Sequence, residues 1–154
     1  MQVSGAGVAT KADPPVEWSE SRNIKWKVSL PGKGHSSPVV WADRIYLTAA
    51  IAHGTPVPPP AGVRPGAHDN ILKVRQMKFV VLAINRSNGK IAWQKTVRDS
   101  IPHESRHDTG SYASASPITD GERIYAFFGS NGIFALDLKG NVLWEKDLGD
   151  MHTK

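Results

Sequence analysis

The sequence predicts an all-β protein: two four-stranded antiparallel sheets of one repeated design, preceded by the closing strand of another sheet. Three observations predict it. One unit of sequence is written twice with its parts in the same order. Turn-forming residues cut each copy into short segments of alternating apolar character. The 14 glycines and 11 prolines of the 154-residue chain suit many short strands better than a few long helices.

The repeat is read by direct alignment. SSPVVWADRIYL, from Ser36 to Leu47, lies without gaps on ASPITDGERIYAF from Ala115, at an offset of 79 residues. Pro38 falls on Pro117, Arg44 on Arg123, Ile45 on Ile124 and Tyr46 on Tyr125. LAINRSNGKIAWQK (Leu82 to Lys95) lies on FALDLKGNVLWEK (Phe134 to Lys146), with an offset of 52 before the loop and 51 after it. Ala83 meets Ala135 and Trp93 meets Trp144. The drop in offset places an insertion in the first copy, between Thr48 and Lys78.

Residues 1–22 read as an N-terminal extension. Residues 23–34, NIKWKVSLPGKG, match only the last strand of a copy, with Trp26 in the tryptophan position. The first unit spans 35–98 and carries a Pro/Gly-rich insertion at 51–76. That insertion, which begins IAHGTPVPPPAGVRPGAHDN (Ile51 to Asn70), is expected to form an exposed rim loop that does not pair into a sheet. The cluster LKVRQMK (Leu72 to Lys78) alternates apolar with basic residues, as a strand with one solvated face does. The unit ends in strands at Phe79–Ile84 and Lys90–Val97, joined through Asn88-Gly89, a strong hairpin signal. Residues 99–114 connect the units. The second unit, 115–149, divides into strands at Ser116–Thr119, Arg123–Gly129, Ile133–Asp137 and Val142–Lys146. Residues 150–154 begin a further connection.

Four-stranded units repeated with short Gly-rich turns are the blades of a β-propeller, which closes on about 4–8 of them. Two blades cannot close a ring, so the expectation is a fragment of a larger propeller of about 7–8 blades. Neighbouring blades of the same protein are therefore its first expected partners.

The outer hairpins also carry a resemblance. AINRSNGKIAW places Ala83 first, Asn85 third, Gly89 seventh and Trp93 eleventh, similar to the tryptophan-docking motif A-x-D-x-x-x-G-x-x-x-W of pyrroloquinoline-quinone-type propellers. ALDLKGNVLW keeps Ala135, Asp137, Gly140 and Trp144 with a loop one residue shorter. The text from Val16 to Gly149 resembles bacterial pyrroloquinoline-quinone-like, or BamB-like, repeat propellers. Elementary chemistry supports the docking reading. An indole can lie flat on a neighbouring blade only where the backbone is bare, as at Gly89 and Gly140. Small Ala83 and Ala135 leave room for it, and Asn85 and Asp137 are expected to cap the turns. Trp26, Trp93 and Trp144 would then tie successive blades together. Trp18 and Trp41 fall outside these positions and read as partly buried packing.

Catalytic motifs are sparse. HESRH, His103 to His107, matches H-E-x-x-H, yet Pro102 before it and Asp108-Thr109-Gly110 after it leave no room for the helix that zinc chemistry requires. His103, Glu104 and His107 are therefore read as an ordinary loop, and no metal is expected. His35 reads as a loop residue beside the first strand. The serines of SSPV and SASP lack a nucleophile motif. The resemblance brings in pyrroloquinoline quinone and calcium as cofactors of quinoprotein dehydrogenases. With no cysteine and with Asp43, Asp120 and Asp137 in turns, the sequence gives them no support.

The formal net charge of +5 is spread thinly, and its densest cluster lacks the interleaved aromatics of a nucleic-acid surface. No apolar run reaches membrane-spanning length. The N-terminal residues lack the features of a secretion signal. The reading is a non-catalytic propeller segment, a binding scaffold for envelope proteins or carbohydrate, periplasmic or envelope-associated by resemblance. The alternative is part of a quinoprotein oxidoreductase.

Overall fold

A computed structural model describes residues 12–58, 74–103 and 106–149. The described chain is all-β, with two four-stranded antiparallel sheets in the orders β1-β2-β3-β4 and β5-β6-β7-β8. The first contains β1 Val39–Trp41, β2 Arg44–Val57, β3 Val74–Asn85 and β4 Ile91–Ser100. The second contains β5 Ile118–Thr119, β6 Arg123–Phe127, β7 Ile133–Asp137 and β8 Val142–Lys146. Each sheet is a meander, so every strand pairs with its sequence neighbour, as propeller blades require. Among the described residues no helix is long and apolar enough to cross a membrane.

The second blade follows its sequence pattern closely. β5 begins at Ile118 because Pro117 has no N–H for a ladder. β6 stops at Phe127, where Gly129 (φ +60°) opens a single 3-10 turn over Gly129–Asn131. Phe128 N–H closes that corner on the Gly132 carbonyl at 2.9 Å.

The first blade departs from expectation at its insertion. Ile51, Ala52 and His53 pair with Lys78, Met77 and Gln76, and Val57 pairs with Val74. The strand pattern continues through the Pro/Gly-rich text because Gly54, at φ +69°, absorbs a register shift between His53 and Val57. Pro56 falls inside that irregular stretch, where its missing N–H breaks no regular ladder. The rest of the predicted loop, 59–73, lies outside the described residues, as do 1–11 and 150–154.

Residues 24–30 belong to neither sheet. A closing strand pairs with the third strand of its own sheet, and the described residues contain none for it. The segment rejoins the first blade at Lys33, which bridges Ala50 through bonds of 3.0 and 2.8 Å.

The main core lies between the sheets. Tyr46, Phe79 and Val81 from the first face Ile124, Phe134 and Leu136 from the second, all buried. Phe128 sits edge-on to both Phe79 and Phe134, with centroids 5.4 and 6.1 Å apart. Each such ring contributes about 1.5–3 kcal/mol by leaving water. A smaller cluster of Ala49, Val80 and Leu82 lies on the opposite face of the first sheet.

Candidate functional site: the contacts between blades and along the rim

The outer hairpins are built to present an indole. In the first blade Ala83 pairs with Trp93 and Ile84 with Ile91, so Ala92 is an extra residue. In the second, Ala135 pairs with Trp144 and Leu136 with Val142, making Leu143 the extra residue. A bulge beside each tryptophan re-aims its side chain, and an alanine across the ladder leaves space for the ring.

Trp93 lies on the next blade's turn. A methyl group on Gly140, whose φ is +89°, would stand 3.0 Å from the Trp93 ring. The indole N–H donates to the Leu138 carbonyl at 3.1 Å. Trp26 repeats the arrangement on the first blade. A methyl on Gly89 (φ +72°) would stand 2.5 Å from its ring, and its N–H donates to the Arg86 carbonyl at 3.0 Å. Arg86 and Leu138 each follow the Asn or Asp of the motif, so the two contacts are equivalent in detail.

Trp144 holds the third position. Its ring stands 6.1 Å from Tyr125 at 47°, as Trp93 stands 6.1 Å from Tyr46 at 41°. It covers no described turn and is 45% exposed.

The turns are capped differently. Asp137 accepts from the Lys139 and Asn141 amides at 2.9 and 2.8 Å and from the Asn141 side chain at 2.8 Å. These bonds, the Asn141 side chain foremost, hold its carboxyl below the usual range. In the first blade the side-chain cap comes from Asn88, whose Oδ1 accepts from the Lys90 amide at 2.9 Å. The expected cap, Asn85, serves through its backbone carbonyl, which takes the Gly89 amide at 2.8 Å. The extra loop residue moves the side-chain role three positions along.

A second tie, on the inner hairpins, escaped the sequence reading. Trp41 lies on Gly121 (φ +94°), where a methyl would stand 2.5 Å from its ring. Trp41 has no tryptophan counterpart, because Asp120 occupies its place in the second copy. Asp120 accepts from the Glu122 and Arg123 amides at 2.8 and 2.6 Å, and these bonds pull its pKa down to about 2. The available signal was glycine in a turn flanked by strands. Trp18, expected to be partly buried, is 66% exposed.

Polar contacts reinforce the joint. The Ser37 amide donates to Ser116 Oγ at 2.8 Å, and buried Thr48 donates to the Ala115 carbonyl at 3.0 Å. Arg98 lies 5.7 Å from the Phe134 centroid and 3.5 Å from the Asp147 carboxylate.

The remaining candidates stay apart. His103 and His107 do not lie on a helix, and Glu104 is outside the described residues. His107 Nδ1 contacts Thr109 Oγ1 at 2.7 Å and the Asp108 carboxylate at 3.0 Å. The His35 amide donates to the Ala113 carbonyl at 3.0 Å, joining the two blades' inner edges. Asp43 pairs with its neighbour Arg44. Among the described residues no three His, Asp or Glu side chains converge as a metal would need. Three of the five tryptophans are already seated on glycines. No chemical step is derived through a quinone or a calcium ion.

No curated protein matches the chain. A family model does, over residues 7–154: that of outer membrane protein assembly factor BamB. With two meander sheets, the recurring tryptophan-on-glycine contact and a match over nearly its whole length, the chain belongs to the BamB-like family of pyrroloquinoline-quinone-like repeat propellers.

Proposed function

We propose that this chain is a propeller segment acting as a non-catalytic binding scaffold in the bacterial cell envelope, in the assembly of outer-membrane proteins. The observation that carries this reading is the repeated outer contact, Trp26 on Gly89 and Trp93 on Gly140, within a family described as an assembly factor. Indoles spent on holding blades together make a rigid support, and rigid supports present partners on their rim loops. Other blades of the same protein would dock on Trp144, and envelope proteins or carbohydrate would meet the rim. The competing reading, part of a quinoprotein dehydrogenase, draws on the resemblance of the same tryptophan-docking motif to pyrroloquinoline-quinone-type propellers.

Deletion of the gene in its native bacterium tests this. The expected result is a fall in folded outer-membrane β-barrel proteins, restored by the wild-type gene and poorly by Trp93→Ala. Quinone- and calcium-dependent dye reduction by the purified protein, with normal barrel levels in the deletion strain, would overturn it.

A further inference from the structure

The β2–β3 hairpin of the first blade overshoots the second. At the level where β6 turns into Gly129–Asn131, β2 and β3 continue to Val57 and Val74. Among the described residues no strand of the second sheet faces their extra length. The segment around Lys33 and the loop from Arg106 to Tyr112 come against it instead, leaving a cleft of about 600 Å³. Met77 and Tyr112 give it apolar walls.

Three cations surround this space, Lys33, Arg75 and Arg106, and no described acidic residue lines it. Elsewhere Arg22, Arg44, Arg98 and Arg123 each meet a carboxylate. Among the described residues these three cations meet none. Arg106 is also fixed in place. Its Nη1 donates to the carbonyls of His107, Asp108 and Gly110 at 2.7, 3.1 and 2.9 Å, and its guanidinium lies 5.4 Å from the Tyr112 ring centroid. A guanidinium locked along one edge offers its other edge at little entropic cost. Cations gathered at a part-enclosed apolar cleft repel one another until an anion joins them.

We propose that this cleft, roofed by the overshooting hairpin, binds a small organic oxyanion: a carboxylate or phosphate monoester carried on an apolar or aromatic body. The inference is independent of the scaffold reading.

The test titrates phenyl phosphate, benzoate and neutral benzamide into the isotope-labelled full chain, followed by amide chemical shifts. Either anion, or both, should move Ala52, Ser111 and Tyr112 saturably, and benzamide should not. Which anion binds more tightly separates phosphate from carboxylate. Because Arg106 also holds its loop, and Lys33 meets that loop only through its backbone carbonyl, which a substitution keeps, the deciding variant is Lys33→Gln with Arg75→Gln. It should weaken binding about tenfold through the lost charge-assisted contacts. Lys95→Gln, an exposed lysine outside the cleft, should change nothing. Absence of saturable shifts, equal binding of benzamide, or equal affinity in the two variants would overturn the proposal.

Discussion

The two blades share one plan and differ in what has been added to it. Their outer hairpins carry the same bulge, the same alanine opposite tryptophan and the same left-handed glycine. The first blade's Trp93 is seated on a neighbouring turn, whereas the second blade's Trp144 stands beside Tyr125 with its outer surface in water. The middle strands differ too: 14 and 12 residues in the first blade against 5 and 5 in the second. The common features serve cohesion between blades. The overshoot serves something one blade alone provides, and the cleft lies beneath it.

The largest expected effect breaks the parallel between Trp93 and Trp144. Trp93→Ala should destabilise the chain by about 3–5 kcal/mol, the usual loss for a large ring packed in a core. Trp144→Ala, whose ring covers no described turn, should cost about 1 kcal/mol or less. Chemical denaturation of both variants measures the difference.

Next come the glycines. Gly140→Ala should cost about 1–3 kcal/mol, since alanine must take a left-handed backbone and press on Trp93. Gly89→Ala meets a tighter contact with Trp26. That ring belongs to a segment in neither sheet, so its main result should be release of residues 24–30, seen as faster amide exchange there. Trp41→Ala, which removes the half-exposed inner tie, should cost about 2 kcal/mol, less than a fully buried ring.

The smallest effect separates the inner turns by pH. Asp120 has a folded pKa of about 2, below its ordinary 3.8. Its contribution is therefore present above pH 3.8 and lost as pH falls through about 2. The first blade has Trp41, which does not titrate, at the position of Asp120. The Glu122 and Arg123 amide shifts should titrate with a midpoint near 2, and Asp120→Asn should abolish this.

Much of the fold was legible because alternation and turn chemistry act locally. Asn88-Gly89 and the glycine before each outer strand fixed hairpins whose strands lie where the pattern put them. Trp26 and Trp93 could be placed because the repeat gave each a counterpart. Trp41 could not, since its counterpart is Asp120 and its partner Gly121 lies 80 positions away. The hairpin extension was hidden by composition: proline and glycine suggest loop, yet one glycine at positive φ let β2 run past Pro56. The cleft was beyond reading because its lining comes from four separate stretches that meet only in the fold.

A double-mutant cycle on Trp93→Ala and Gly140→Ala tests most directly whether indole on bare glycine binds the blades. If the ring rests on that backbone, removing it relieves the added methyl, and the two losses should fall short of additivity by about 1 kcal/mol or more. Gly129→Ala, where an added methyl meets no atom within 4 Å, should be additive with Trp93→Ala. Additivity at Gly140 equal to that at Gly129 would contradict the account.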